Sequence, residues 1–405
     1  MKKSNLILCF FFWLPNILPA QNITASRKSA LSKSDMVIWD PQRLATSKSK
    51  LTANDAWLIP AYKQLLKSAN EAMLFKPVSV IDKKETPPSG DKHDYMSIAP
   101  YWWPDPMKPN GLPYIRKDGE VNPEVHSFLD KENLPRLCEH VHNLSLAYYL
   151  SGNEEYAIHA SKLINVWFLD SATAMNPNLQ FGQAIKGITT GRAEGLIEIR
   201  HFIFLVEAIA LLKDSQSFEE SKQKKLKKWM TDFFNWMQTS QIGRDEKEAI
   251  NNHGVWYDAT SLALAIFIGD TIQAKKIIHH AAMRLDSSMN EQGYFPLELA
   301  RTTSLHYSVF ILDAFTLIAH LSQKVGFDFW NLQTTNGKSL KKGYDALLPY
   351  LAGNTVWTWK QIKPFDQSNA FQMLWKSSFK YNCGACVEII KKNAENYQDL
   401  QFILY

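Results

Sequence analysis

From Leu134 onward the chain repeats one pattern, with apolar residues three and four positions apart and breaks at Gly, Asn or Asp. That spacing predicts helices rather than strands. Leu137, Val141, Leu144 and Tyr148 share one helical face; Gly152 stops that helix. Asn153 caps the next, which carries Tyr156, Ala160, Leu163, Ile164 and Trp167. The pattern predicts one long apolar helix over 192–212. Ser217 with Glu220 reads as a capping box for a helix bearing Leu226, Trp229, Phe233 and Trp236. Further helices are predicted over 53–74, 256–268, 272–285, 307–321 and 340–350. Alternating strand patterns are nearly absent, and no strict short repeat marks a regular solenoid. The chain is therefore a train of about six or seven αα-hairpins. The expected fold is all-α: an α/α toroid whose loops at one end form a cleft.

Two stretches break the pattern. Residues 76–125 hold half of the eighteen prolines, so this stretch is not regular helix. It also holds Tyr95, Tyr101, Trp102, Trp103 and Tyr114, which favour an ordered loop over the cleft. Trp102 and Trp103 are adjacent, so one is expected to stack on a ligand in the cleft and the other to anchor the loop. At the start, Lys2 and Lys3 precede an apolar run from Leu6 to Leu18, with Ala20 at the end. Residues 1–20 read as a signal peptide, which makes 21–405 one exported catalytic domain, periplasmic or extracellular. Residues 21–50 read as a weakly ordered lead-in with helical stretches. No later stretch reads as long and apolar enough for stable membrane insertion.

Composition narrows the function. Hydrophobic residues make up 45%, enough for a large core, and 21% charged residues argue against disorder. Removing 1–20 takes away two lysines and no acids, which lowers the net charge from +5 to +3. That is no nucleic-acid footprint. Lys222, Lys224, Lys225, Lys227 and Lys228 read as the solvated face of a helix. Cys383 and Cys386 have redox or metal spacing but no second pair, and read as a local disulfide or buried thiols. His140 and His142 read as packing residues, and Asn176 and Asn178 as turn formers.

Chemistry concentrates in a few segments. Asn251-Asn252-His253-Gly254-Val255-Trp256 opens a helix, and farther on comes Glu298-Leu299-Ala300-Arg301-Thr302-Thr303-Ser304-Leu305-His306-Tyr307. Breaking a uronate polymer by β-elimination needs donors that neutralise the carboxylate beside C5. It also needs a base for the C5 proton and an acid for the oxygen leaving C4. Asn252, His253 and Arg301 are suitable neutralisers. Tyr307 can be acid and base if a nearby cation lowers its pKa. The scheme requires neither metal nor cofactor. Arg192, after Gly191, suits a neighbouring uronate carboxylate or is a helix-start charge; Gln183 is a weaker substrate contact. A helical glycoside hydrolase is the alternative enzyme, with Glu298, Asp258 and Asp105 as its carboxylates. A non-catalytic glycan-binding protein using Trp102, Trp103 and the basic residues is the third reading.

The paired asparagines before histidine, with arginine and tyrosine downstream, resemble the alginate lyase family of α/α-toroid polysaccharide lyases. Tyr101-Trp102-Trp103-Pro104-Asp105-Pro106 and Asn176-Pro177-Asn178 with Gly191-Arg192 resemble its smaller, Bacteroidetes-type members. The likeness covers roughly residues 90–320. It implies an acidic polysaccharide as partner and unsaturated uronate ends as product. It implies that Asn252 and Arg301 neutralise the carboxylate, and that His253 does so too or acts as base. Tyr307 is then the acid, or acid and base, and His306 contacts substrate. Two departures bear on which uronate is cut, alginate or glucuronan. Gly254-Val255 replaces a Ser-Tyr pair, and the arginine-to-tyrosine gap is one residue shorter. Oligomeric state is not legible.

Overall fold

The computed structural model describes residues 36–393. The predicted signal peptide and the first half of the lead-in lie outside the described residues. The helices are α1 (Pro41–Thr52), α2 (Ile59–Ala72), α3 (Leu129–Ser151), α4 (Glu154–Ile164), α5 (Phe202–Leu211), α6 (Glu220–Thr239) and α7 (Gln241–Lys247). They continue as α8 (Asn252–Ile268), α9 (Thr271–Ser288), α10 (Pro296–Leu299), α11 (Ser304–Ser322), α12 (Leu340–Leu351), α13 (Phe371–Tyr381) and α14 (Gly384–Asn393).

Side-chain pattern sorts these helices into layers. α5, α8 and α11 are apolar on nearly every side and buried nearly all round. α2, α4, α6 and α12 carry one apolar stripe and lie outside. In the inner layer α3 packs on α5, α5 on α8, α8 on α11 and α11 on α13. α1 closes the circle: the Arg43 guanidinium lies 5.3 Å from the Phe379 ring of α13, and the Lys48 ammonium bonds the Tyr149 carbonyl of α3. These helices thus form an α/α toroid among the described residues.

A clasp sits at this closure. Buried Glu207 of α5 accepts the N–H groups of Val37, Ile38 and Trp39 at 2.6, 2.8 and 2.6 Å. The carbonyls of Ile38 and Trp39 are bonded by His320 (2.9 Å) and Lys324 (2.7 Å), at the far end of α11.

The lead-in has one of its expected helical stretches in α1, which runs on to Thr52: Asp40 caps it by accepting from Gln42 and Arg43, and Pro41 occupies its first turn. Several expectations need correction. The helix expected from 53 begins at Ile59. The long helix expected over 192–212 is a 3-10 stretch, Ala193–His201, before α5, because Gly195 lies backbone to backbone against Gly182. Ser217 does not cap α6; its N–H and hydroxyl bond Glu154 at 3.2 and 3.0 Å. Residues 304–325 are long and apolar enough to cross a membrane, contrary to the reading above, but most of that length is buried in the core.

The Pro-rich stretch is ordered and pinned at two places. β1 (Met96–Ile98) pairs in parallel with β4 (Phe181–Ala184), and β2 (Trp102–Trp103) pairs antiparallel with β3 (Ile115–Arg116). Asn176 and Asn178 donate to Asp94 at 2.9 and 3.0 Å, which holds the turn before β1. Other residues take the bland roles expected of them. His142 packs edge-on against Trp39 and Phe204, and His140 tilts over Phe75. Lys224 and Lys228 form exposed pairs with Glu220 and Asp232 one turn away. Cys383 and Cys386 form a disulfide, and Cys138 is a buried thiol.

Candidate active site

The floor of the site is the first turn of α8. Asn251 caps that helix by accepting from the His253 N–H at 3.1 Å. Asn252, 1% exposed, donates its backbone N–H and its Nδ2 to the two oxygens of Glu298 at 2.7 and 2.8 Å. Its Oδ1 is buried without a hydrogen-bond partner. His253 Nδ1 lies 2.8 Å from Glu246 Oε1 of α7. Burial lifts the Glu246 carboxyl above its usual range, while His253 beside it pulls the other way. As a carboxylate, Glu246 only accepts, so Nδ1 carries the proton and Nε2 keeps a lone pair.

Gly254 explains one departure from the family pattern. A Cβ there would lie 2.0 Å from the Ala249 carbonyl oxygen and 2.2 Å from Arg284 Nη1. Buried Arg284 fills that space, donating to Asp258 at 2.8 Å and to the Lys247 carbonyl at 2.5 Å. The residue at 254 thus serves the packing behind α8.

The second wall is the turn into α11. Arg301 donates from Nε to both Asp118 oxygens at 3.1 Å, and from Nη2 at 2.6 Å. Thr302 adds its N–H and hydroxyl to the same carboxylate. Burial pushes Asp118 up, but the hydrogen bonds from Arg301 and Thr302 outweigh it and leave its pKa at about 2. The Arg301 guanidinium carbon lies 3.6 Å from the centre of the Tyr307 ring. The Tyr307 hydroxyl is 2.8 Å from that of Tyr101, on the Pro-rich loop. Burial, then Tyr101, raise the Tyr307 pKa, and Arg301 offsets only part of this. The expected lowering by a cation is present but outweighed: Arg301 shares its charge with Asp118, and the phenol keeps its proton. His306 stands edge-on to Tyr307 at 5.6 Å; burial, then Arg301 and Arg200, lower its pKa and keep it neutral.

The third wall comes from β4 and the stretch after it. Gln183 is buried with φ of 49°, a left-handed backbone rarely adopted without glycine. Its N–H donates to Ser97 Oγ at 2.8 Å, and its Oε1 accepts from Arg192 Nη2 at 2.8 Å. Arg192 also donates to Glu194 at 2.8 Å. Gln183 and Arg192 thus form one unit. Trp102 packs on the small cluster of Ala99, Tyr114 and Ile185, an anchoring role. Trp103 donates Nε1 to the Glu120 carbonyl at 3.0 Å, with the Lys117 ammonium 5.1 Å from its ring.

These residues are compatible with comparisons to known proteins. A family model described as alginate lyase matches residues 79–357, more than half of the chain. The chain belongs to the alginate lyase family. The crystal structure of an alginate lyase from Bacteroides ovatus is 39% identical, with a TM-score of 0.86, covering 91% of this chain and 98% of that one. Alginate lyase A1-III from Sphingomonas species A1 is 15% identical, with a TM-score of 0.54 over 88% of this chain and 91% of that one. A histidine-to-alanine variant of A1-III in complex with a tetrasaccharide is similar at 15% identity and TM-score 0.56, covering 89% and 91%. The A1-III likenesses show the fold, an α/α toroid. No curated protein sequence matches.

In this alginate lyase family member the partners of the expected residues are what sequence reasoning missed. Asp118 holds Arg301, Glu246 holds His253, Glu298 holds Asn252, and Tyr101 meets Tyr307. Glu246 lies one short helix before His253 and carries no motif of its own. Asp118 sits far off in sequence; only its Asp-Gly turn hinted at a fixed position. Among the described residues no group of three or more His, Cys, Asp or Glu is arranged to hold a metal.

Proposed function

We propose that this polysaccharide lyase cleaves 1,4-linked uronate polymers, alginate first, by β-elimination at the site of Asn252, His253, Arg301 and Tyr307. The observation that carries the reading is how two side chains are held. His253 is anchored through Nδ1 and presents a lone pair on Nε2; Tyr307 is held as a neutral phenol. In this scheme Nε2 takes the C5 proton, and the electrons form the C4–C5 double bond. The C4–O bond breaks, and the departing oxygen takes the Tyr307 proton. Asn252 keeps a second amide hydrogen for the uronate carboxylate, and Arg301 keeps Nη1 outside its bonds to Asp118. Arg192, Gln183, His306 and Trp103 contact neighbouring sugars, while Trp102 anchors the loop.

This arrangement suits a C5 proton and a C4 oxygen on opposite ring faces. Where both lie on one face Tyr307 serves twice: once its hydroxyl proton has passed to solvent, the phenolate takes the C5 proton and returns it to the departing oxygen, with the Tyr101 hydroxyl hydrogen-bonded to it.

The structure favours this reading over a hydrolase. Glu298 is committed to Asn252, and Asp258 is committed to Arg284 inside the core. Asp105 is half-buried and caps a turn at Met107. None forms an opposed pair across the cleft. The basic-then-apolar N-terminus supports export, and the Cys383–Cys386 disulfide suits an oxidising compartment.

The test is to incubate the protein with mannuronate-rich alginate, guluronate-rich alginate and glucuronan, and to follow the ultraviolet absorbance of unsaturated ends. Wild type gives the signal and Tyr307→Phe abolishes it with circular dichroism unchanged. Reducing ends without absorbance, or full activity in Tyr307→Phe, overturns the scheme. His253→Ala compared across the substrates decides which ring-face case applies.

A further inference from the structure

Residues 357–363, Trp-Thr-Trp-Lys-Gln-Ile-Lys, run beside the catalytic turn, and all but the first lie beyond the family match. Their placement is tight. Thr303 and Gln361 form an antiparallel bridge, and the Ile362 N–H donates to the Thr302 carbonyl at 2.9 Å. The Lys360 carbonyl accepts from the Ser304 N–H and hydroxyl at 3.1 and 2.7 Å. Trp357 Nε1 donates to the same hydroxyl at 2.8 Å. Ser304 stands three residues from both Arg301 and Tyr307. On its other side the segment meets the loop that carries Tyr101 and Asp118: a Cβ on Gly119 would lie 3.1 Å from the end of the Ile362 side chain.

The outward chemistry of this segment is unusual. Trp357 and Tyr294 lean on the core, whereas Trp359 leans on other aromatic rings: Trp357 at 4.6 Å, Tyr294 at 5.1 Å and Tyr350 at 6.1 Å. A half-buried tryptophan supported edge and back by aromatics is a rigid platform. Lys360 and Lys363 flank it, both exposed, and no acidic residue lies between Thr355 and Pro364.

We propose that Trp359, Lys360 and Lys363 form a uronate-binding subsite beside the catalytic turn. The indole stacks on a pyranose face and the ammonium groups take that sugar's carboxylate. The occupant is a sugar of the same polymer chain that is being cut, so the subsite rests on the polyuronate reading above.

The test uses the full chain with polymannuronate as probe, measured by turnover and by affinity electrophoresis in gels containing that polymer. Trp359→Ala is expected to raise KM about tenfold with kcat within about twofold, and Trp359→Phe to restore most of the affinity. Lys360→Gln with Lys363→Gln, both surface changes that leave the core intact, is expected to raise KM and weaken the salt dependence of binding. Retardation by the polymer should fall in parallel, and a neutral glucan should retard none of the variants. Unchanged KM and retardation in both sets overturn the subsite. A fall in kcat at constant KM also overturns it, because the segment would then act only by shaping the catalytic turn. If wild type is retarded but gives no unsaturated product, the lyase scheme fails while the retardation of the variants still decides the subsite.

Discussion

Glu246 Oε1 lies 2.8 Å from His253 Nδ1, and the carboxylate is only 1% exposed. A buried anion in that position fixes the imidazole tautomer and stabilises the imidazolium that forms once Nε2 has taken a proton. Glu246→Gln keeps the shape and removes the charge. It should lower kcat about a hundredfold, the low end of what a positioned base contributes, with KM nearly unchanged. An unaltered kcat with guluronate-rich alginate would remove His253 from the role of base.

Asp118 ties the Pro-rich loop to Arg301 and Thr302. Its pKa, about 2, lies below the unfolded value of about 3.9. The pair therefore stabilises the fold fully above about pH 4, and this is lost as pH falls towards 2. With solvent screening the contribution is about 1 kcal/mol. Urea unfolding of wild type and Asp118→Asn should differ by that amount at pH 6 and converge near pH 2; a difference constant across this range contradicts the assignment.

Gln361 supplies the start of α11 with a cap that the helix lacks in its own sequence. Thr303 makes no side-chain cap, and Gln361 Oε1 accepts the Leu305 N–H at 3.0 Å. Losing an N-cap acceptor costs about 1 kcal/mol. Gln361→Ala should lower both thermal stability and kcat, since Tyr307 rides on that turn, and Gln361→Glu should recover most of each. Equal kcat in all three proteins would show that the turn holds without the cap.

Adding one methyl group at Gly254 should be costly. The Ala249 carbonyl is backbone and Arg284 is bound on several sides, so neither yields cheaply. Gly254→Ala is expected to destabilise by about 3 kcal/mol in chemical denaturation. A change below about 0.5 kcal/mol would mean that the packing relaxes freely.

The helical pattern carried much of this architecture because inner and outer helices differ so plainly in apolar spacing. α8 and α11 were legible within a few residues at each end. The failures share a cause. The stretch at 193–201 follows Gly195 packed on Gly182, a tertiary contact that no local period encodes. Ser217 found a partner in Glu154, far off in sequence, so a good capping pattern went unused. The four candidate residues were legible because their chemistry is specific, but their charge states were not. Only burial, Asp118 and Tyr101 reveal that Tyr307 keeps its proton, and these come together from positions nearly two hundred residues or more away.

The clasp at Val37–Trp39 has a consequence for how the enzyme is made. It bonds some of the first described residues to Lys324, 285 positions later. A ribosome synthesises the amino-terminal end first, so these residues emerge long before their partners exist. The circle of hairpins cannot shut during the greater part of translation, and the walls of the cleft, drawn from residues 101 to 307, stay unassembled with it. Cutting activity should therefore be among the last properties a nascent chain acquires, and a refolding time course should show helix content recovering before catalysis does.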